Sequence, residues 1–128
     1  MNIEVRSGLP FVTVTLINGG HATVIPDVVL DTGSASSLFR DEDLAQIGVQ
    51  IDQDEPTRGF RGIGGSEQIW IRRVDYIAVA SLAVRNLEVG IGPVEYGFGI
   101  RGILGLDFLL RAEAVIDLAN LELRRGGA

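Results

Sequence analysis

The residues best able to do chemistry lie together in the segment Leu30-Asp31-Thr32-Gly33-Ser34. Apolar residues 28–30 come directly before the acid, and a small hydroxyl residue and a glycine follow it. This order predicts a carboxylate at the end of a buried strand, on a tight turn. Because burying an unpaired carboxylate is costly, proteins seldom place one there without a task. A carboxylate in this position can act as a general acid or base, or it can simply cap the following turn, so Asp31 is a candidate catalytic residue.

The composition argues against several other kinds of site. The chain has no cysteine, so neither a disulfide framework nor a thiolate zinc site is possible. His21 is the only histidine, which argues against a histidine metal site and against Ser-His-Asp or Cys-His catalysis. A net charge of −6 argues against a surface that binds nucleic-acid phosphates. We therefore expect no metal, no cofactor and no nucleic-acid partner.

The N-terminal sequence bears on location. Residues Met1 to Arg6 lack the basic and then apolar layout of a signal peptide. No apolar run approaches the roughly 18–20 residues that span a bilayer. We expect a cytoplasmic protein without a membrane segment, or a domain excised from a larger protein.

Most of the chain has the pattern of short strands separated by glycine-containing turns. Residues 11–17 alternate apolar residues and threonine, and Asn18-Gly19-Gly20 can form a hairpin turn. Residues 41–48 are predicted to form one short helix, and residues 82–92 a strand pair around Arg85-Asn86. Regular strand spacing with one or two short helices predicts an all-β barrel or sandwich, and the length of 128 residues predicts a single domain spanning 1–128.

Three further segments follow the acid along the chain. Residues 56–80 are predicted to form a long hairpin whose tip is rich in glycine. Ile103-Leu104-Gly105 is predicted to be a second buried strand, followed by a short helix that reaches Leu110. Residues 114–124 are predicted to form a closing hairpin.

These segments resemble, in the expected order, the retropepsin family of single-domain aspartic proteases. Asp31-Thr32-Gly33-Ser34 resembles the catalytic signature, and Gly62-Ile63-Gly64-Gly65 lies in a hairpin where the family places its flap. Ile103-Leu104-Gly105 resembles the apolar-apolar-glycine element that packs behind the catalytic loop. The resemblance covers roughly residues 9–124. It implies an all-β fold, a closed, orthogonal β-barrel of the acid-protease type with one or two short helices.

The resemblance also implies an aspartic endopeptidase that works as a homodimer. The chemistry needs two carboxylates that share one proton and flank the water that attacks the peptide carbonyl. This chain carries one such signature, so the second acid would be Asp31 of another copy across a two-fold axis. The substrate would be an extended peptide, added as a strand between the flap and the floor of the site.

Roles for the neighbouring residues follow from the same resemblance. Thr32 would hydrogen-bond across the dimer axis, and Gly33 would let the backbone approach the substrate. Ser34 would donate a hydrogen bond to the outer oxygen of Asp31. Gly62, Ile63, Gly64 and Gly65 would close over the bound peptide and exclude bulk water.

The chain departs from the family pattern directly after Ile103-Leu104-Gly105. Retroviral members usually place there an arginine that ties the helix to the core, whereas this chain has Leu106-Asp107. The tie must therefore differ, and Asp107 is predicted to cap the helix. The flap tip lacks the tyrosine of two-domain relatives, and Ile63 is its nearest counterpart. The hairpin at 114–124, the N-terminal residues 1–5, or both could build the dimer interface.

Two other functions remain open from the sequence. The fold could be catalytically idle and serve as a dimerisation or peptide-binding module. Residues 31–36 could instead form a phosphate-binding hairpin of the actin and sugar-kinase type, which also places an acid, a glycine and a hydroxyl residue on a strand turn. That second alternative needs two larger α/β lobes, for which 128 residues are too few.

Overall fold

The computed structural model describes residues 1–62, 65–93 and 99–127, with only the backbone described at 60–62 and 65–67. The strands and helices follow one another as β1 (Glu4–Arg6), β2 (Leu9–Asn18), β3 (His21–Leu30), β4 (Leu38–Phe39), α1 (Asp41–Ala45), β5 (Arg58–Gly62), β6 (Gly65–Val79), β7 (Leu82–Ile91), β8 (Gly102–Leu104), α2 (Leu106–Arg111), β9 (Ala114–Asp117) and β10 (Glu122–Arg125).

Six of these strands close into a barrel. Neighbouring strands pair in the order β2-β3-β8-β4-β7-β6, and β6 pairs back with β2 to complete the ring. Strands β1 and β5 extend the sheet outside the ring, on β2 and β6 respectively. The predicted closed all-β barrel with two short helices is confirmed.

The barrel strands alternate between core-facing and outward-facing residues, as the period of a strand requires. Along β2, for example, Val12, Val14 and Leu16 are buried and join the main apolar core. A second, smaller cluster consists of Leu38, Ile69 and Ile103, with Ile71 packed against it. This cluster connects β4, β6 and β8.

Strand β7 differs from the sequence prediction. Residues 82–91 form one continuous strand rather than a strand pair, and the chain turns instead at Ala80-Ser81, between β6 and β7. Asn86 has a φ of 52°, a left-handed conformation that asparagine adopts more readily than most residues. The Arg85-Asn86 signal therefore marks a single unusual residue within a strand and not a hairpin turn.

A buried carboxylate joins helix α1 to the start of β8. Asp43 accepts hydrogen bonds from Nε of Arg40 and Nη2 of Arg101, each at 2.9 Å. Asp43 is 5 % exposed, so the two guanidinium groups supply the pairing that a buried charge needs. This pairing holds Arg101 directly before β8, the strand that contains Ile103 and Leu104.

The N-terminal segment and the terminal hairpin pair with each other within one chain. The N–H groups of Asn2 and Ile3 both donate to the Leu121 carbonyl, at 3.1 and 3.0 Å. The Asn2 side chain donates to the Leu123 carbonyl at 2.9 Å and accepts the Leu123 N–H at 2.5 Å. The predicted hairpin at 114–124 is observed as β9–β10, and residues Leu121 and Leu123 at the start of β10 are therefore paired with residues of the same chain.

An ion pair fixes the loop that leads into the β5–β6 hairpin. Arg72 on β6 makes two hydrogen bonds to the Glu55 carboxylate, one of them from Nη1 at 2.7 Å, and Trp70 donates to the Glu55 carbonyl at 3.2 Å. The Arg72 hydrogen bond is the main cause that lowers the pKa of Glu55 to about 2.

In the described parts of the chain, no helix is long and apolar enough to cross a membrane.

We expect the ion pair between Arg72 and Glu55 to make the stability of the fold depend on pH in the acid range. The pKa of Glu55 falls from 4.5 to about 2 on folding, so the contribution is complete above pH 4.5 and disappears as the pH falls toward 2. Urea unfolding should show Glu55→Gln to be less stable than wild type at neutral pH. The difference in free energy of unfolding between wild type and Glu55→Gln should disappear as the pH falls toward 2.

A Glu122→Gln variant, which removes one carboxylate from the terminal hairpin, controls for the change in net charge. A stability gap between wild type and Glu55→Gln that stays constant down to pH 2 would show that the ionised pair is not its source.

Candidate active site

Asp31 lies where strand β3 leaves the barrel. Strand β3 runs parallel to β8, with Val29 opposite Ile103 and Leu30 opposite Leu104. The Asp31 N–H continues this pairing by donating to the Leu104 carbonyl at 3.0 Å. The Asp31 motif and the Ile103-Leu104-Gly105 motif, which the sequence analysis expected to pack together, therefore lie at the ends of two neighbouring strands.

The turn after Asp31 orients its carboxylate. The Gly33 N–H donates to Oδ1 of Asp31 at 2.9 Å, and the Ser34 N–H donates to the Asp31 carbonyl at 3.1 Å. Asp31 is partly buried in the single chain, and Thr32 beside it is exposed. The carboxylate is therefore held from one side by the backbone and lies beside an exposed part of the turn.

Ser34 does not contact the Asp31 carboxylate as predicted. Its hydroxyl donates to the Ser36 carbonyl at 2.8 Å, and the residue is 2 % exposed. A hydroxyl has one proton to donate, so this bond takes the one that was assigned to Asp31. The prediction for the Ser34 hydroxyl was wrong, and Ser34 instead stabilises the turn from within.

Segment Leu104–Asp107 holds the far end of this turn through Ser37. The Ser37 hydroxyl accepts the Gly105 N–H at 3.0 Å and donates to Oδ1 of Asp107 at 2.8 Å. The Ser37 N–H donates to Oδ2 of Asp107 at 2.9 Å. Ser37 is fully buried, so each of these polar groups depends on the others for its partner.

Asp107 therefore does not occupy the helix-cap position that was predicted for it. The cap position is occupied by Gly105, and Asp107 lies inside the first turn of α2. One of its oxygens also accepts the Phe108 N–H at 2.8 Å, which satisfies a free donor of that turn. Its contacts with Ser37 join α2 to the turn after Asp31, which is the tie expected to replace the missing arginine.

Sequence reasoning missed Ser37. The signal available was a serine directly before the apolar pair Leu38-Phe39, a polar residue at a position that the fold buries. Its partner Asp107 lies in a run of apolar residues at 106–110. Two polar residues in apolar surroundings can satisfy each other when the fold brings them together.

Gly105 allows the two segments to approach closely. A Cβ atom at this position would lie 2.6 Å from the Ser36 carbonyl oxygen and 2.8 Å from that of Ser34. Both contacts are with backbone and cannot be relieved by a side-chain rotation. The Leu106 N–H then donates to the Ser34 carbonyl at 2.8 Å. A glycine is required here because a larger residue would push the turn off the strand.

Only part of the predicted flap falls within the described residues. Gly62 pairs with Gly65 at the end of the β5–β6 hairpin, as the sequence predicted for this segment. Ile63 and Gly64 lie outside the described residues. The role of these four residues as a flap stays a prediction.

A cavity of about 370 Å³ lies beside the turn, between β5, β6, β7 and α2. Its lining includes three arginines and two carboxylates, namely Arg58, Arg73, Arg111, Glu88 and Asp107. Charges of both signs therefore line this cavity. Within residues 1–62, 65–93 and 99–127, no cluster of three or more His, Cys, Asp or Glu side chains could hold a metal ion.

Comparison with known families agrees with this geometry. The family model described as aspartyl protease matches residues 12–108, which include both the Asp31 turn and the start of α2. The chain belongs to the aspartyl protease family. The predicted membership of a retropepsin-like family is confirmed. A search of curated proteins gave no match.

A solved structure shows the same fold. The chain is similar to a retropepsin-like aspartic protease from Rickettsia conorii, with a TM-score of 0.62 and 18 % sequence identity. The match covers 88 % of this chain and 79 % of that chain. At this identity the similarity establishes the retropepsin-like fold, and the chemistry has to be argued from the residues of this chain.

We expect Ser37→Ala to destabilise the protease fold markedly. The substitution leaves the Gly105 N–H without its acceptor and removes one donor from Asp107 at a buried position, which costs about 1–3 kcal/mol. The free energy of unfolding in urea measures this cost. Ser36→Ala removes the same kind of hydroxyl one residue earlier and leaves the network intact. Equal losses in the two variants would contradict the assigned role of Ser37.

Proposed function

We propose that this chain is an aspartic endopeptidase that hydrolyses peptide bonds as a homodimer, with Asp31 of each copy at a shared active site. The observation that carries the proposal is the position of Asp31. Its carboxylate accepts the Gly33 N–H on a turn that β8 holds at the end of β3, within the segment that matches the aspartyl protease family.

The chemistry follows from the number of carboxylates. One chain supplies one acid on this turn, and the reaction needs a base and an acid at the same carbonyl. Two Asp31 carboxylates side by side share one proton because both cannot stay charged at close range. The two-fold axis of a dimer brings the second carboxylate to the first.

Each proton transfer then has a donor and an acceptor. The ionised carboxylate takes a proton from a water molecule while the water oxygen attacks the peptide carbonyl carbon. The protonated carboxyl group gives its proton to the carbonyl oxygen, so a tetrahedral diol forms. When the C–N bond breaks, one diol hydroxyl returns its proton to a carboxylate and the leaving nitrogen takes a proton from the other carboxyl group.

The residues around Asp31 position this chemistry. Thr32 is exposed beside the acid, where it can hydrogen-bond to the same turn of the second copy. Gly33 holds the Asp31 carboxylate and leaves room for the substrate backbone. Ser34 stabilises the turn, and Ile103-Leu104-Gly105 supports it from behind.

The substrate is an extended peptide that lies over the Asp31 turn. An extended peptide can add to the strands as a further strand, so that main-chain hydrogen bonds supply affinity. Gly62, Ile63, Gly64 and Gly65 close over it as a flap and exclude water. Each copy is one domain of residues 1–128 with its core at about 9–124.

We expect Asp31→Asn to abolish peptide cleavage. The amide can neither take a proton from water nor share one with its partner, so the rate should fall by about 10²- to 10⁴-fold or more. Digestion of a mixed peptide library by wild type and variant, followed by mass spectrometry from acid to neutral pH, measures the loss and gives the cleavage sites.

Asp54→Asn is the matched control, because it removes the same charge from an exposed loop residue. Cleavage that survives in Asp31→Asn would contradict the proposal. A dimeric wild type that cleaves nothing at any pH would favour the alternative, an idle retropepsin-like fold that serves as a dimerisation or peptide-binding module.

A further inference from the structure

The cavity of about 370 Å³ lies at the far end of the Asp31 turn. Its lining includes Ser36, which is part of that turn, and Asp107, which binds the next residue, Ser37. Ser36 follows Asp31 by five residues, and five residues span at most about 18 Å. An extended peptide covers this length in about five residues, so a side chain of a peptide bound over Asp31 can reach the cavity.

One face of the β5–β6 hairpin forms another part of the lining. Ile71 and Arg73 both line the cavity, and they lie two residues apart on β6, so they share one face of the strand. Ile69 shares that face, and Arg58 of β5 pairs directly opposite it. Because residues paired directly opposite each other lie on the same face, Arg58 joins Ile71 and Arg73 there.

The two carboxylates of the lining are already offset by other groups. Asp107 accepts the Ser37 hydroxyl, the Ser37 N–H and the Phe108 N–H, so both of its oxygens have donors. Glu88 pairs opposite Arg73 on the neighbouring strand, where opposite charges attract. Three arginines against two carboxylates leave the lining with a net charge of +1, in a chain whose net charge is −6.

Arg58 and Arg73 are the cations that a ligand can reach. Both are exposed, and neither forms a salt bridge with another of the described residues. Arg111 instead donates to the backbone carbonyls of Arg85 and Asn86, which hold its guanidinium group in place. The groups of the cavity with charge to offer a ligand are therefore two guanidinium groups.

We propose that this cavity binds an acidic side chain of the substrate, an aspartate or a glutamate, and that Arg58 and Arg73 determine this specificity. The inference rests on the proposed function, since it concerns a peptide bound over Asp31. A guanidinium group presents several donors in a planar fork that matches a carboxylate. Ile71 is half-buried and Leu87 is buried, and both offer apolar contact to the methylene groups of the acidic side chain.

The preference depends on where the acidic residue lies in the peptide. The chain as a whole is negative and repels acidic peptides, whereas the attraction to the cavity acts within about 8 Å, the screening length at physiological ionic strength. An acidic residue therefore favours cleavage only at the distance from the cleaved bond at which its side chain enters the cavity. A rate that rises with the total negative charge of the peptide, whatever the position, would contradict the inference.

The test compares cleavage of paired peptides by the full chain. Digestion of a mixed peptide library by wild type should show Asp or Glu enriched at a fixed position within about five residues of the cleaved bond. The best-cleaved peptide is then compared with the same peptide carrying the matching amide in place of that acid. For wild type, kcat/KM should be at least about tenfold higher for the acidic peptide. Arg58→Gln and Arg73→Gln should each lower this ratio, and the double variant should bring it to about one.

Arg125→Gln is the matched control, because Arg125 is an exposed arginine of β10 outside the cavity lining. It should keep the wild-type ratio. Each ratio compares two peptides on the same variant, so a partial loss of folded protein cancels from it. A library without acidic enrichment, a preference that survives in the double variant, or a preference that Arg125→Gln removes equally would overturn the inference.

Peptide binding by the Asp31→Asn chain separates this inference from the proposed function. The mixed peptide library is passed over immobilised Asp31→Asn, and the retained peptides should be enriched in Asp or Glu. The enrichment should disappear when Arg58→Gln and Arg73→Gln are added. Such enrichment together with a wild type that cleaves nothing overturns the proposed function alone. Cleavage that requires Asp31 but shows no acidic preference overturns the inference alone.

Discussion

The contact between residues 31–37 and the segment Leu104–Asp107 is the interaction on which the site depends. Backbone pairing of β3 with β8 fixes the position of Asp31 at the end of β3. In the middle of the turn, the Leu106 N–H binds the Ser34 carbonyl, and Gly105 lets the two segments approach closely. Ser37 and Asp107 close the far end with two hydrogen bonds. The carboxylate can be placed accurately because the turn is fixed along its whole length by one other segment.

The same contact is part of the barrel. Ser37 immediately precedes β4, whose residue Leu38 pairs with Ile103 of β8 and with Gly90 of β7. The Gly90 N–H also donates to the Ser37 carbonyl at 2.8 Å. The turn that carries the acid therefore leads directly into a strand that closes the ring. A change that loosens Ser37 should disturb both the site and the barrel.

In the proposed mechanism, one chain supplies only one of the two catalytic carboxylates. The described turn presents one carboxylate, partly buried and next to the exposed Thr32, whereas the proposed reaction uses two. In the proposed dimer the missing group is supplied by symmetry, so the sequence has to encode the acid only once.

The sequence predicted those parts of the structure that depend on local pattern. Alternating apolar residues, glycine turns and the acid after Leu30 located the barrel strands and Asp31, and the apolar pair before Gly105 located β8. The bond between Ser37 and Asp107 could not be predicted, because the two residues are far apart in the chain and meet only when β3, β4 and β8 are assembled.

The wrong predictions for Ser34 and for the strand around Asn86 also have their cause in tertiary structure. A hydroxyl such as that of Ser34 has several acceptors within reach, and the path of the turn decides which one it binds. Asn86 carries the signature of a turn residue, but the pairing of β6 with β7 on both sides of it keeps the strand continuous. In both cases tertiary structure decided between alternatives that are equally acceptable locally.

The central claim, that one active site uses Asp31 from two copies, is tested most directly by mixing. Wild type and Asp31→Asn, combined in equal amounts at fixed total concentration and allowed to exchange subunits, form dimers at random. If both acids are required, activity falls to about one quarter of that of wild type, the share of dimers with two intact copies. Activity that falls only to about one half would show that each chain catalyses with its own Asp31 and would contradict the shared site.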